Sequence, residues 1–228
     1  MSTFLELSQR LRLEAGISGT GPTTVVSQAG EYEKVVKWVA TANEDIQNLH
    51  TNWKFLQTSF DFDTIATTQN YTLAAVSLTD LATWKIDTPD SLTIYSSVAD
   101  ESYLTYMPWD DFRALYLFGS ARSDTDRPTI VTIKPDNSLS FYPIPNAAFT
   151  VTGEYFKRAQ VLDTTDDDEE PSFPSQYHMA VVWRALVHYG AFAAADEKYA
   201  HGQNEYKRLL RGLEGNQLPK ITWGEPLA

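Results

Sequence analysis

The chain has 228 residues, 43% of them hydrophobic and 13% aromatic, enough apolar side chain for one sizeable core or for two lobes. Its formal net charge is −12, from 30 acidic and 18 basic residues, so the average surface repels duplex DNA and anionic membrane, which argues against tight nucleic-acid binding. Cysteine is absent, which removes disulfides, thiolate metal ligands and thiol nucleophiles together. No apolar run approaches the roughly 20 residues that span a bilayer, and the charged residues through 1–16 do not fit a secretory leader, so a soluble protein made in the cytoplasm is expected.

Residues 2–15 predict a short helix, with a Ser-Thr start, Glu6 in the early turns, Phe4, Leu7 and Leu11 at helical spacing, and Gly16 as a stop. The Gly- and hydroxyl-rich stretch 16–30 is a loop of unusual length, of the kind that serves an interface. From 31 to 53, Tyr32, Val35, Val39, Ala42, Ile46, Leu49 and Trp53 follow steps of three and four, which places them on one face of a helix of about six turns. Glu33, Lys37, Glu44 and Gln47 occupy the opposite, solvent face.

After Phe55 the pattern changes to alternation. Phe60 and Phe62, Tyr71 and Leu73, Trp84 and Ile86, Leu92 and Ile94, and Leu104 and Tyr106 recur at period two, amid many Thr and Tyr, and predict strands. Pro108 opens a short helix over 109–118, with Asp110 and Asp111 in its first turn. Residues 129–133 pair with 139–142 through the turn 134–138, and 149–155 follows the turn at 143–146, which together suggest an antiparallel meander. The acidic, proline-bounded run TTDDDEEPSFP, residues 164–174, is expected to be a solvated connection. Beyond it, Met179, Val182, Leu186 and Tyr189, then Tyr199, Tyr206, Leu210 and Leu213, predict two helices or one bent near Gly190.

Helices at both ends with strands between indicate an α+β fold: a helical bundle from the N- and C-terminal helices with an inserted antiparallel β-rich domain. The expected division is a bundle of residues 1–55 and 172–214, an insertion of 56–163, an acidic linker at 164–171 and an extended tail at 215–228. The bundle core is expected to comprise Val35, Val39, Ile46, Leu49, Trp53, Val182, Leu186, Tyr206 and Leu210.

Catalytic and metal motifs do not emerge. His50, His178, His188 and His201 lie outside any recognised metal spacing and read as packing or hydrogen-bonding residues. Asp166 to Glu170 lack the glycine and alternating ligands of a calcium loop. Pairs such as Asp110 and Asp111, or Asp61 and Asp63, point apart and do not suit a glycosidase, and no nucleophile elbow or phosphate-binding glycine loop is present. No catalytic residue, metal or cofactor is assigned. Lys207, Arg208 and Arg211 cluster on the last helix, either complementing its dipole or meeting an acidic neighbour in an assembly.

In the tail GNQLPKITWGEPLA, Gly215, Pro219, Gly224 and Pro226 prevent a regular helix while Leu218, Ile221, Trp223 and Leu227 supply apolar anchors. Burying a tryptophan removes about 200 Å² or more from water, so this segment either folds back on its own bundle or docks as an extended peptide on another protein.

LRLEAGISGTGPTTV, GEYEKVVKWVATANEDIQNLHTNW, GEYFKRAQ and HGQNEYKRLL, in this order, resemble the head-to-tail adaptors of tailed bacteriophages, similar to the tail tubular adaptor family, over residues 4–213. The resemblance implies a non-enzymatic virion protein at the phage neck. Subunits would form a twelve-fold ring under the portal protein, extend a channel that DNA traverses without sequence-specific binding, and present a surface to a tail, stopper or tail-terminator protein. It further implies a C-terminal segment that inserts into the portal, here Leu218, Pro219, Ile221 and Trp223. A second reading, a carbohydrate- or receptor-binding tail component, is motivated by Tyr95, Tyr103, Tyr106 and Trp109; a third is a lysin or glycosidase.

Overall fold

The computed structural model describes residues 2–86 and 91–219. Its elements are α1 (Phe4–Ala15), α2 (Gly30–Gln47), β1 (Gln57–Asp63), β2 (Asn70–Tyr71), β3 (Leu81–Trp84), β4 (Leu92–Tyr95), β5 (Ser102–Tyr103), β6 (Thr105–Tyr106), α3 (Trp109–Tyr116), β7 (Thr125–Asp126), β8 (Ile130–Ile133), β9 (Leu139–Tyr142), β10 (Ile144–Pro145), β11 (Thr150–Lys157), α4 (Met179–Phe192) and α5 (Asp196–Gln217). The class is α+β. Two compact units result, one from residues 1–56 and 159–228 and one from residues 57–158.

In the helical unit α4 is central, packing against α1, α2 and α5. Helix α1 is set by its ends. The Thr3 side chain accepts the Glu6 amide, the Glu6 carboxylate accepts the Thr3 amide, and Gly16 closes the helix at φ 72°. Phe4, Leu7 and Leu11 are buried.

Helix α2 ends at Gln47, short of the end at residue 53 that its spacing predicts. Leu49 therefore lies beyond the helix and is 48% exposed, not part of the core. Trp53 is buried from a separate turn, where its indole N–H donates to the Gln47 carbonyl at 3.1 Å. Val35, Val39, Ile46, Val182, Leu186 and Tyr206 are buried, while Leu210 is half-buried. Gln47, expected in solvent, is buried because its Oε1 accepts the Gln160 amide at 2.9 Å and the Ser172 hydroxyl at 3.2 Å. That bond also holds residues 159–163 to the helical unit, so the insertion closes at Arg158.

Helices α4 and α5 are separate, joined through Ala193 to Ala195, with Ala194 at φ 49°. Two glycines let them approach. A Cβ on Gly190 would lie 2.7 Å from the Tyr199 amide nitrogen, and one on Gly202 would lie 3.0 Å from the Trp183 carbonyl.

In the β unit β11 is the hub. β1 runs antiparallel along one side of it, and β4 and β3 share the other, with β5 beyond β4. A second sheet has the order β2-β9-β8-β6, and β10 pairs with β7. The β8–β9 hairpin forms as its turn predicts, Ile130 facing Tyr142 and Ile133 facing Leu139. The meander does not continue: β11 leaves for the other sheet and takes β1, the first strand of the unit, as partner. Two pairings, β6–β8 and β10–β7, are parallel. The core of this unit includes Phe60, Trp84, Ile94, Val131, Phe141 and Val151. Gly153 sits opposite both Phe60 and Leu92, whose side chains lean across the space its missing Cβ leaves.

Candidate functional site

The last turn of α5 is where the tail departs, and the helical unit fixes that point. Leu213 is fully buried. One residue on, Glu214 meets His50 at 3.2 Å, and the His50 ring stands edge-on to Trp53 at 4.9 Å. The Leu218 amide still donates to the Glu214 carbonyl at 3.0 Å, with Leu218 half-buried and Pro219 exposed. Of the four predicted docking residues these two are described; Ile221 and Trp223 lie outside the described residues.

A polar cluster that sequence reading missed joins the three helices nearby. Asp45 of α2 accepts from Arg184 Nε at 2.9 Å and lies 3.0 Å from His188 Nε2, while the Arg184 guanidinium sits 5.7 Å from the centre of the Tyr206 ring. Burial pushes the Tyr206 hydroxyl above its ordinary pKa. The available signal was the spacing of Arg184 and His188, four residues apart on one helical face.

The acidic run turns out to be divided. Its backbone caps α1: the Phe4 amide donates to the Glu169 carbonyl at 2.7 Å and the Leu5 amide to the Asp167 carbonyl at 3.2 Å. With the Glu6 and Leu7 amides on Thr3, all four initial N–H groups of α1 are satisfied. The Asp167 carboxylate accepts the Thr24 hydroxyl at 2.9 Å and the Val25 amide at 2.5 Å, and Glu169 accepts the Gln160 amide group at 2.8 Å. Residues 166 and 168 stay exposed. The expected solvated connection is thus a fastening for α1 and the 16–30 loop, which Arg12 and Tyr32 also hold.

The basic residues of α5 are placed differently from the dipole reading. The helix continues to Gln217, so its last turn contains no cation. Arg208 pairs with Glu205 at 2.7 Å. Lys207 and Arg211, four residues apart on one face, are exposed and have no ion-pair partner among the described residues.

Apolar side chains also reach the surface. In the helical unit Phe192 is 63% exposed beside Trp38, with the Lys34 ammonium 4.2 Å from its ring centre. In the β unit, Leu115 and Phe118 are exposed at and beyond the end of α3. Of the aromatics considered for carbohydrate binding, Tyr95 and Tyr103 fall on β4 and β5, Tyr106 on β6 of the other sheet, and Trp109 stacks on Phe112 in α3. They do not share one element.

The histidines each have a partner: His50 with Glu214, His188 with Asp45, His178 Nε2 with the Phe173 carbonyl at 2.9 Å, and His201 edge-on to Trp183. Among the described residues no group of three or more acidic or histidine side chains could hold a metal ion, and no helix is long and apolar enough to cross a membrane.

Comparison with known families gives a match over residues 2–227 to the family described as SU10 adaptor protein. The match takes in the terminal segment beyond Leu218, which the resemblance seen in the sequence left uncovered. Among curated proteins no match is found.

Proposed function

This chain belongs to the SU10 adaptor protein family and is a phage adaptor, and from that premise we propose that it joins capsid to tail as a ring beneath the portal. Twelve copies packed side by side would extend the DNA channel, with a tail, stopper or tail-terminator protein bound on the far side. The protein works mechanically. Repeated interfaces between identical subunits close on themselves, so small contact energies sum around the ring and no edge is left open. The net charge of −12 suits a wall past which DNA slides without sticking.

The observation that carries this reading is the family match extending through residue 227, so that the tail belongs to the family pattern together with the bundle and the insertion. The tail leaves a helix end tethered by His50 and Leu213, which suits a peptide presented to a partner. Deleting residues 219–228 is expected to leave a folded protein that no longer co-sediments with portal-containing heads. Undiminished co-sedimentation would overturn the docking role.

A further inference from the structure

Resting on the ring reading, we infer that the Lys207–Arg211 face of α5 is one half of the subunit–subunit interface, and that its counterpart is the outward acids Asp166 and Asp168 of a second copy. Three observations carry the inference. The protein bears a net charge of −12, so identical neighbours repel unless opposite charges are set against each other at the contact. Lys207 and Arg211 are cations that the subunit itself leaves unused: both are exposed and unpaired among the described residues, while the adjacent Arg208 is taken by Glu205.

The third observation is the division of the acidic run. Asp167 and Glu169 are consumed inside the subunit, on the Thr24–Val25 backbone and on Gln160. Asp166 and Asp168 are exposed, Asp166 Oδ1 accepting the Asp168 amide at 2.9 Å, and the run they sit on is held against α1 by the Phe4 and Leu5 amides, so they are displayed from a fixed backbone. The run lies against α1, whereas the cations are on α5, and α4 packs against both helices. Two complementary patches on different helices can meet head to tail, and the closed ring of the proposed function selects that arrangement over a two-fold pairing, in which the same residues would meet reciprocally. Each exposed ion pair is weak alone, but it recurs at every interface of a closed ring.

The test exploits that repetition. Lys207→Glu/Arg211→Glu and Asp166→Lys/Asp168→Lys variants of the full chain are prepared, and their thermal unfolding is checked against the parent, since the changes are at exposed positions. Each is then assembled on portal-containing heads, alone and as an equimolar mixture. Each variant alone is expected to need about tenfold more protein for half-maximal ring formation than the parent. The mixture is expected to return to the parent value, because an alternating ring restores opposite charges at every contact.

Parent-like assembly by either variant alone, or a mixture no better than its components, overturns the pairing while leaving the ring reading intact. Normal assembly with impaired DNA passage in the Lys207/Arg211 variant also overturns it and assigns that face to DNA phosphates. Failure of the parent chain itself to form a ring overturns both the ring reading and this inference.

Discussion

The Asp167 carboxylate accepts the Val25 amide at 2.5 Å, tying two points 142 residues apart in the chain. The same oxygen takes the Thr24 hydroxyl, so the long loop after α1 is held by a side chain from a run whose composition alone suggested solvent exposure. Replacing Asp167 by Ala would strand a part-buried backbone donor and is expected to cost about 1–3 kcal/mol in urea unfolding. Asn, which keeps an acceptor oxygen, is expected to retain more than half of that stability. Equal losses for Ala and Asn would show that charge, and not the hydrogen bond to Val25, is what holds the loop.

The glycines between α4 and α5 make opposite predictions from a third on the same hairpin. An Ala at Gly190 places its Cβ 2.7 Å from the Tyr199 amide nitrogen, backbone that cannot move without separating the helices. Gly190→Ala is expected to lower stability by about 1–3 kcal/mol despite its better helix propensity. Gly215, where an added methyl group would meet nothing within 4 Å, is expected to gain up to about 1 kcal/mol as Ala. Thermal unfolding of the two variants should move in opposite directions.

Gly153 offers the equivalent test in the β unit. Its added Cβ would lie 2.4 Å from Leu92 Cδ2 and 2.9 Å from Phe60 Cε1, both on buried side chains in neighbouring strands. Gly153→Ala is expected to destabilise by about 1–3 kcal/mol. In a double-mutant cycle Gly153→Ala is expected to cost less in a Leu92→Ala background than in the parent, because the facing side chain has gone; an equal cost in both backgrounds would mean the strain lies in the β11 backbone.

Acid should loosen the β unit at one identifiable place. The Ser96 hydroxyl, the Ser97 and Ser96 amides and the Arg127 guanidinium hold the Asp100 carboxyl at about 2, below the ordinary aspartate value of 3.8. Because the folded value is the lower one, the stabilisation is present above about pH 4 and is lost as pH falls toward 2. Arg127 also donates to the Ile94 and Asp100 carbonyls, so protonating Asp100 weakens the junction of β4 and β5. Asp100→Asn is expected to flatten stability against pH across that window, as followed by urea unfolding. An unchanged acid slope would assign the transition to other carboxyls.

What could be read in advance was local chemistry. The Ser-Thr start with Glu6 behind it, the Gly16 stop and the 134–138 turn act over a few residues; the start closes as a Thr3–Glu6 capping box, and the stop and the turn form as expected. The end of α2 was not legible, because no glycine or proline follows Gln47 and the helical spacing runs on through Leu49 to Trp53. The burial of Gln47 depends on Gln160, 113 residues away, and β11 takes β1 as a partner, a strand from the opposite end of the unit's sequence, in place of β9, which is nearer in the chain. Alternation specifies that a strand forms and which face it buries, but it does not name the partner. The segment proposed for docking was expected to leave the helix at Gly215, but α5 continues through Gly215 to Gln217 because a lone glycine lowers helix propensity without ending a helix, and the spacing of Leu218, Pro219, Ile221 and Trp223 names no partner.

The most direct measurement is the native mass of the purified chain alone and after incubation with portal protein. A single-subunit mass that converts to one closed ring of identical copies on the portal is the predicted result. A chain that stays single in the portal's presence, or that binds it only as isolated subunits, would contradict a ring-forming adaptor.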